Sequence, residues 1–235
     1  MSTSAPLPKS APISGTYRPR GMLIGGQWVG SASGERIAVE NPAKRIVVAE
    51  VPRAAAADVD VAVSAADKAF PAWKSVVPRE RGRLLLRIAE AMEARVEEMA
   101  RTIALETGNA LRTQARGEAR LAADIFRYFG GLASELKGET VPLGEHVLSY
   151  TRREPLGIVG AIIPWNAPLL LMAMKIAPAL VAGNAVVVKP SELTPYSITR
   201  LAQFAVAAGL PPGLFNVVHG HGADAGRNLV RHPGV

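Results

Sequence analysis

An α/β fold built on a doubly wound parallel sheet is what the sequence predicts, and three observations carry that prediction. From Gly157 onward, short apolar runs and longer amphipathic stretches follow one another as strand, helix, strand, helix, strand, helix, the rhythm of parallel βαβ units. The two long helical stretches are each followed by a glycine, Gly183 and Gly209, the residue that most readily ends a helix before the chain turns into the next strand. The 235 residues are 49% hydrophobic, enough for one core that buries roughly 70–75% of the unfolded chain's surface. No membrane span is predicted, because the longest apolar candidate, Leu169 to Val188, is interrupted by Lys175, Pro178, Gly183 and Asn184.

Residues 1–20 contain Pro6, Pro8, Pro12 and Pro19 among serines and threonines, with basic residues but no acid and no apolar run. They read as a disordered tail rather than a signal or transit peptide, and the expected compartment is the cytoplasm. Met22–Val29 and Glu35–Pro42 read as short edge strands separated by Ser- and Gly-rich turns. Asp58 is a candidate N-cap for a helix running to about Trp73, on which Val59, Val63, Ala66 and Phe70 recur at helical spacing. A second helix follows Pro78, with Leu85, Ile88, Met92, Val96, Met99 and Ile103 stepping by three or four until Gly108 stops it. Leu111 to Glu135 repeats the pattern, with Leu121, Ile125, Tyr128, Phe129 and Leu132 expected on one buried side.

Residues 137–154 change character. Gly138, Pro142 and Gly144 exclude a helix, while Val147 to Arg153 alternates roughly with period two, so a projecting β-hairpin is expected, with an exposed edge that can pair with another strand. Beyond it the strands fall at Gly157–Ile163, Ala185–Lys189 and Leu214–Val218. The helices fall at about Ala167–Val181, Pro195–Ala208 and a short one from Ala223.

The formal net charge is +7, which raises the question of nucleic acid. The arginines from Arg79 to Arg101 alternate with glutamates along a helical stretch, the pattern of a solvated, ion-paired face, and no basic block carries interleaved aromatics that could stack bases. Nucleic-acid binding is therefore not expected. The absence of cysteine removes disulfides, thiolate metal sites and a cysteine nucleophile from these residues. His219 and His221 alternate in a glycine-rich turn without acidic or thiol companions, so no metal site is expected.

Candidate site residues gather at the carboxyl ends of the predicted strands, where open α/β sheets bind ligands. Pro164-Trp-Asn-Ala-Pro-Leu, Lys175-Ile-Ala-Pro-Ala-Leu, Ala182-Gly-Asn, Lys189-Pro-Ser-Glu-Leu-Thr-Pro and Gly209-Leu-Pro-Pro-Gly-Leu-Phe-Asn-Val-Val occur in this order. Together they resemble the NAD(P)-dependent aldehyde dehydrogenase superfamily, and the resemblance reaches back through Glu106-Thr-Gly to about Gly25. It covers the first half of a typical family chain. It implies an incomplete Rossmann-like sheet, with residues 21–136 and 155–235 as a partial NAD-binding domain, 137–154 as an oligomerisation-type hairpin, and the catalytic domain absent from these residues.

The family reaction, oxidation of an aldehyde through a cysteine thiohemiacetal, implies a role for Asn166 as the oxyanion-stabilising amide. Taken alone, such an asparagine reads as a turn or cap residue. The resemblance places Lys175 near the proton path, although a lysine on a helix surface reads equally as a solvated charge. Ile162, Ile163, Pro164 and Trp165 would line the cofactor groove, while Ile162 and Ile163 taken alone also read as strand core. Lys189 and Glu192, with Ser191 between them, would flank the adenosine ribose, and the carboxylate favours NAD over NADP. Gly222 and Gly226 belong to a glycine turn that lets the backbone approach the adenine. The complete enzyme would take a small-molecule aldehyde and form a homo-oligomer. The 235 residues alone, without the nucleophile and the general base, are expected to be inactive. The alternative is a short, non-catalytic relative that binds nucleotide or docks onto full-length subunits.

Overall fold

The computed structural model describes residues 21–235, and the tail expected over residues 1–20 lies outside them. Strands β1 (Met22–Ile24) and β2 (Gln27–Val29) form a tight hairpin. The single strand expected over Met22–Val29 folds back at Gly25 and Gly26, whose φ of 60° and 82° only glycine adopts freely. Strand β3 (Arg36–Asn41) pairs antiparallel with β4 (Ile46–Pro52), a strand the sequence reading did not identify. The turn between them is held by the Asn41 side chain, which accepts hydrogen bonds from the amides of Ala43 (2.9 Å) and Lys44 (3.1 Å).

Helix α1 (Ala56–Lys74) begins three residues before the expected start, with Ala55 rather than Asp58 at the N-cap position. Asp58 is therefore inside its first turn, and its carboxylate accepts from the amides of Ala55 (2.7 Å) and Ala32 (3.0 Å), tying the helix start to the turn after β2. The helix expected to run unbroken from Pro78 to Gly108 is two helices, α2 (Pro78–Glu93) and α3 (Val96–Thr107). The break falls at Arg95, whose φ of −132° leaves the helical region. Apolar spacing passes over it because both helices bury their apolar faces in the same core.

A single π-helical turn at Leu111–Ala115 leads into α4 (Arg116–Gly131). The buried face of α4 differs from the expected one. Ala119, Ala122, Ala123 and Phe126 face the core, while Leu121 and Tyr128 are exposed and Ile125 and Phe129 pack at its margin. The reason is close helix approach. A Cβ added at Gly82 of α2 would come within 2.5 Å of the Gly130 carbonyl oxygen and 2.7 Å of the Ala133 Cβ. Glycine alone fits at position 82, where α2 meets the end of α4.

The hairpin appears as β5 (Thr140–Pro142) and β6 (Leu148–Tyr150), paired with each other and, among the described residues, with no other strand. Then follow β7 (Ile158–Ile162), α5 (Pro168–Val181), β8 (Ala185–Lys189), α6 (Tyr196–Ala207), β9 (Phe215–Val217), a π-helical turn at Gly222–Gly226 and α7 (Arg227–Arg231). β7, β8 and β9 are parallel, and antiparallel β1 and β2 extend them into one mixed sheet of order β2-β1-β9-β8-β7. Every residue of β8 is buried, the apolar run Ala185–Val188 and Lys189 at its end alike, as expected of a strand covered by helices on both faces. Among the described residues no helix is long and apolar enough to cross a membrane.

Two side-chain amides lock this frame. Asn184 donates to the Ala179 carbonyl (3.1 Å) and accepts from the Gly157 amide (3.0 Å), joining the end of α5 to the start of β7. Asn216 donates to the Gly213 carbonyl (2.7 Å) and accepts from Gly25 (2.9 Å), joining β9 to the β1–β2 turn. Gly82→Ala is expected to lower stability by about 1–3 kcal/mol through overpacking of α2 on α4; urea unfolding of the purified chain measures it, and a midpoint equal to the parent's would contradict the close-packing account.

Candidate functional site

The carboxyl ends of β7, β8 and β9 lie side by side, because Ile162 pairs with Lys189 and Val188 with Val217. Three segments therefore emerge at one edge: 163–167 from β7, 190–195 from β8, and 218–226 from β9. The order of the strands alone brings the sequence candidates together.

The first segment carries Pro164, Trp165 and Asn166, all exposed, with Trp165 at 56%. Ile162 is also exposed, whereas Ile163 is buried in the core. The Asn166 side chain is open to solvent, and its backbone carbonyl accepts from the Asn109 side chain at 3.3 Å. Lys175 is exposed on α5.

The second segment begins with a buried cation. Lys189 is 3% exposed, and its ammonium donates to Glu192 Oε2 at 3.0 Å. An ammonium has three donors, and the Glu192 bond uses one of them. The other Glu192 oxygen lies 3.8 Å from His221 Nδ1 in the third segment. Burial pushes the Glu192 carboxyl up, but its own backbone amide, the Lys189 hydrogen bond and the charges of Lys189 and His221 outweigh that, and it sits below the usual carboxylate range. Ser191 is buried and accepts from the Leu193 amide at 3.2 Å, so its hydroxyl shapes the turn.

In the third segment Gly220 has a φ of 159° and lies so close to Ala225 that a Cβ would approach it to 2.6 Å. At Gly222 an added Cβ would meet nothing within 4 Å, whereas Gly226 is buried beneath the same turn. The turn thus presents bare backbone at the strand edge.

Four residues hold the helices behind this edge without having been assigned to them from the sequence, and one of them, Arg81, expected on a solvated, ion-paired helix face, is buried at 6% exposure instead. Helix α5 is held at both ends. Glu118 of α4 accepts from the Leu169 amide at 2.9 Å. At the other end Trp73 Nε1 donates to the Leu180 carbonyl (2.9 Å) and Arg81 Nε to the Val181 carbonyl (2.8 Å). Helix α6 is held by Glu106 of α3, which accepts from the amides of Tyr196 (2.6 Å) and Ser197 (3.0 Å). Burial pushes the Glu106 carboxyl up to about 7 against the pull of those bonds, and the neighbouring Glu118 charge adds to the rise. The contacts span 51 to 107 residues of sequence, beyond the reach of any local capping rule. The one available signal was Glu106 itself, an acid closing the apolar face of α3 just before Gly108.

The sequence model described as the aldehyde dehydrogenase family matches residues 28–235. Phenylacetaldehyde dehydrogenase of Pseudomonas fluorescens is 45% identical over 244 residues, an alignment covering 100% of this chain and 49% of that protein. Fluoroacetaldehyde dehydrogenase of Streptantibioticus cattleyicolor is 43% identical over 90% of this chain and 42% of its own length. Among solved structures, an NAD-dependent aldehyde dehydrogenase from Sinorhizobium meliloti superposes with a TM-score of 0.91 at 41% identity, covering 95% of this chain and 45% of that one. PnpE in complex with nicotinamide adenine dinucleotide gives 0.90 at 42%, covering 92% and 45%. The chain spans about half the length of the relatives it matches.

Behind the edge, His219 is 1% exposed. The Thr199 hydroxyl spends its proton on the Pro195 carbonyl (2.8 Å) and so accepts from His219 Nε2 at 3.3 Å. Burial pushes the imidazole down to about 4, and the Lys189 charge adds to the shift. The sign is that of a depressed base: its contribution is complete above the unfolded value of 6.5 and is lost as pH falls through about 4. At 1.36 kcal/mol per unit this amounts to about 3 kcal/mol. His219→Leu is expected to flatten the fall in stability between pH 6.5 and 4, measured by urea unfolding across that range; an unchanged pH slope would show that His219 does not cause it.

Proposed function

The chain belongs to the aldehyde dehydrogenase family, and from that membership we propose that its strand-end edge seats a nicotinamide dinucleotide beside an oxyanion-stabilising amide. The observation that carries this reading is the buried Lys189 bonded to a half-exposed, ionised Glu192 between the Asn166 loop and the bare glycine turn. An acceptor held ionised next to a cation suits a ribose diol, which can donate to the carboxylate and accept from the ammonium.

The same carboxylate disfavours a 2′-phosphate, so NAD is the proposed cofactor over NADP. Gly222 and Gly226 would let the backbone approach the adenosine, and exposed Ile162, Pro164 and Trp165 would wall the groove. When bound, nicotinamide supplies the hydride acceptor for aldehyde oxidation. Asn166 would donate its side-chain amide to the oxyanion that forms when a thiolate adds to the aldehyde carbonyl; one such donor lowers a barrier by roughly 2.7–4 kcal/mol. Lys175, about two turns into α5, would stand near the route by which protons leave.

The thiolate must come from elsewhere, because these residues contain no cysteine. Serine cannot replace it without a base beside it. The 235 residues by themselves are therefore proposed to bind nucleotide without oxidising aldehyde. The β5–β6 hairpin, with Leu148 83% and Tyr150 64% exposed, would serve assembly with further copies of the protein, since an exposed apolar edge favours pairing.

Titration of the purified chain with NAD and NADP, followed by calorimetry, is expected to show tighter binding of NAD. Glu192→Gln is expected to weaken NAD by about tenfold through loss of a charge-assisted bond and to narrow the preference. Equal or tighter binding of NADP by the parent chain would contradict the reading. In a separate assay, NAD plus an aldehyde is expected to give no NADH absorbance with these residues alone, and any turnover above the protein-free rate would refute the need for an added thiolate.

A further inference from the structure

The two helices that follow the site strands share one construction. Neither α5 nor α6 starts on a residue whose own side chain caps it; the flanking residues are Ala167 and Pro195. Each receives instead a buried carboxylate from a distant helix, Glu118 for α5 and Glu106 for α6. The first amides of a helix have no partner inside it, and a buried one left unpaired costs about 1–3 kcal/mol. Glu106, 3% exposed, satisfies two of them at once.

Only six residues, 190–195, separate Lys189 at the end of β8 from Tyr196 at the start of α6. One end of this segment is fixed by the sheet, where Ile163 donates its amide to the Lys189 carbonyl at 3.0 Å. The other end is fixed by Glu106. Between them, Ser191 accepts from the Leu193 amide through its hydroxyl and from the Thr194 amide through its carbonyl, both at 3.2 Å. The place where Glu192 meets Lys189 is thus set by two anchors, one of them a side chain 90 residues away.

We infer that Glu106 is a positioning residue for the nucleotide seat: by holding the Tyr196 and Ser197 amides it fixes the 190–195 segment so that Glu192 stays on Lys189 and faces the ribose. This rests on the nucleotide reading of the edge. The turn that follows α3 reaches the neighbouring loop as well. Gly108, at a φ of 76°, reverses the chain so that Asn109 donates to the Asn166 carbonyl at 3.3 Å. One short stretch, 106–109, therefore braces both the segment proposed to hold the ribose and the segment proposed to hold the oxyanion.

The test uses the 235-residue chain and ADP-ribose, which carries the ribose and pyrophosphate without the nicotinamide. Glu106→Gln keeps the shape but leaves one good acceptor where there were two, and it is expected to weaken ADP-ribose by about tenfold. Gly82→Ala, a destabilising change at the α2–α4 contact away from this edge, is expected to leave ADP-ribose affinity unchanged at a comparable loss of thermal stability. Should Glu106→Gln not fold, Glu106→Asp, which retains the charge but not the reach, is expected to show the same selective loss. Parent-like affinity in the Glu106 variant, or an equal loss in Gly82→Ala, would overturn the inference. Failure of the unaltered chain to bind ADP-ribose would instead overturn the nucleotide reading; faster amide exchange over 190–197 in Glu106→Gln, which needs no ligand, would then still show the bracing, and unchanged exchange would refute it.

Discussion

Everything at the strand edge depends on how the amino ends of α5 and α6 are satisfied. A helix that begins in the interior presents unpaired amides that water cannot reach, and this chain meets that demand with carboxylates from other helices rather than with local caps. Glu118 and Glu106 sit where the helix dipole favours negative charge, so the cost of burying each acid is offset by the amides it accepts from. Burial still leaves its mark, since both carboxyls are pushed above the ordinary glutamate range. The two helices are thereby fixed on the sheet, and the loops that precede them are fixed with them.

The remaining polar burial follows the same logic. Arg81 and Trp73 take up the last carbonyls of α5, and Asn184 and Asn216 each pair a strand with the neighbouring turn. Many of the buried polar groups here stand at or near the ends of elements, where backbone groups would otherwise be unpaired. The core between those ends is apolar and tightly packed, with small residues where α2 crosses α4. A rigid frame of this kind can hold a loop that carries chemistry without that loop having regular structure of its own.

Much of this was legible in the sequence. The βαβ rhythm placed β7, β8 and β9 and the helices between them, because strands buried on both faces read as continuous apolar runs and glycines mark where helices end. Lys189 and Glu192 could be placed at a strand end from spacing alone, and the structure puts them 3.0 Å apart. The asparagines of Ala182-Gly-Asn and Leu-Phe-Asn stood out as motifs, but their clasping role needed coordinates. What could not be read was set by tertiary packing. The break at Arg95 has no glycine or proline to announce it, and the buried face of α4 is lined by alanines although larger side chains share the helix; β4, by contrast, is an apolar β-branched run, Ile46-Val-Val-Ala-Glu-Val, whose strand signal was open to reading and was passed over. The caps were invisible for the same reason: Glu106 and its amides are 90 residues apart, and no pattern in a single sequence connects them.

The most direct test of the central claim is residue-resolved hydrogen exchange of the chain with and without NAD. If buried carboxylates hold the helix starts and the three strand ends form one seat, the amides of Leu169, Tyr196 and Ser197 exchange slowly without ligand, and NAD slows residues 189–193 and 220–226 together. Rapid exchange at those helix starts, or protection by NAD confined to some other part of the chain, would contradict it.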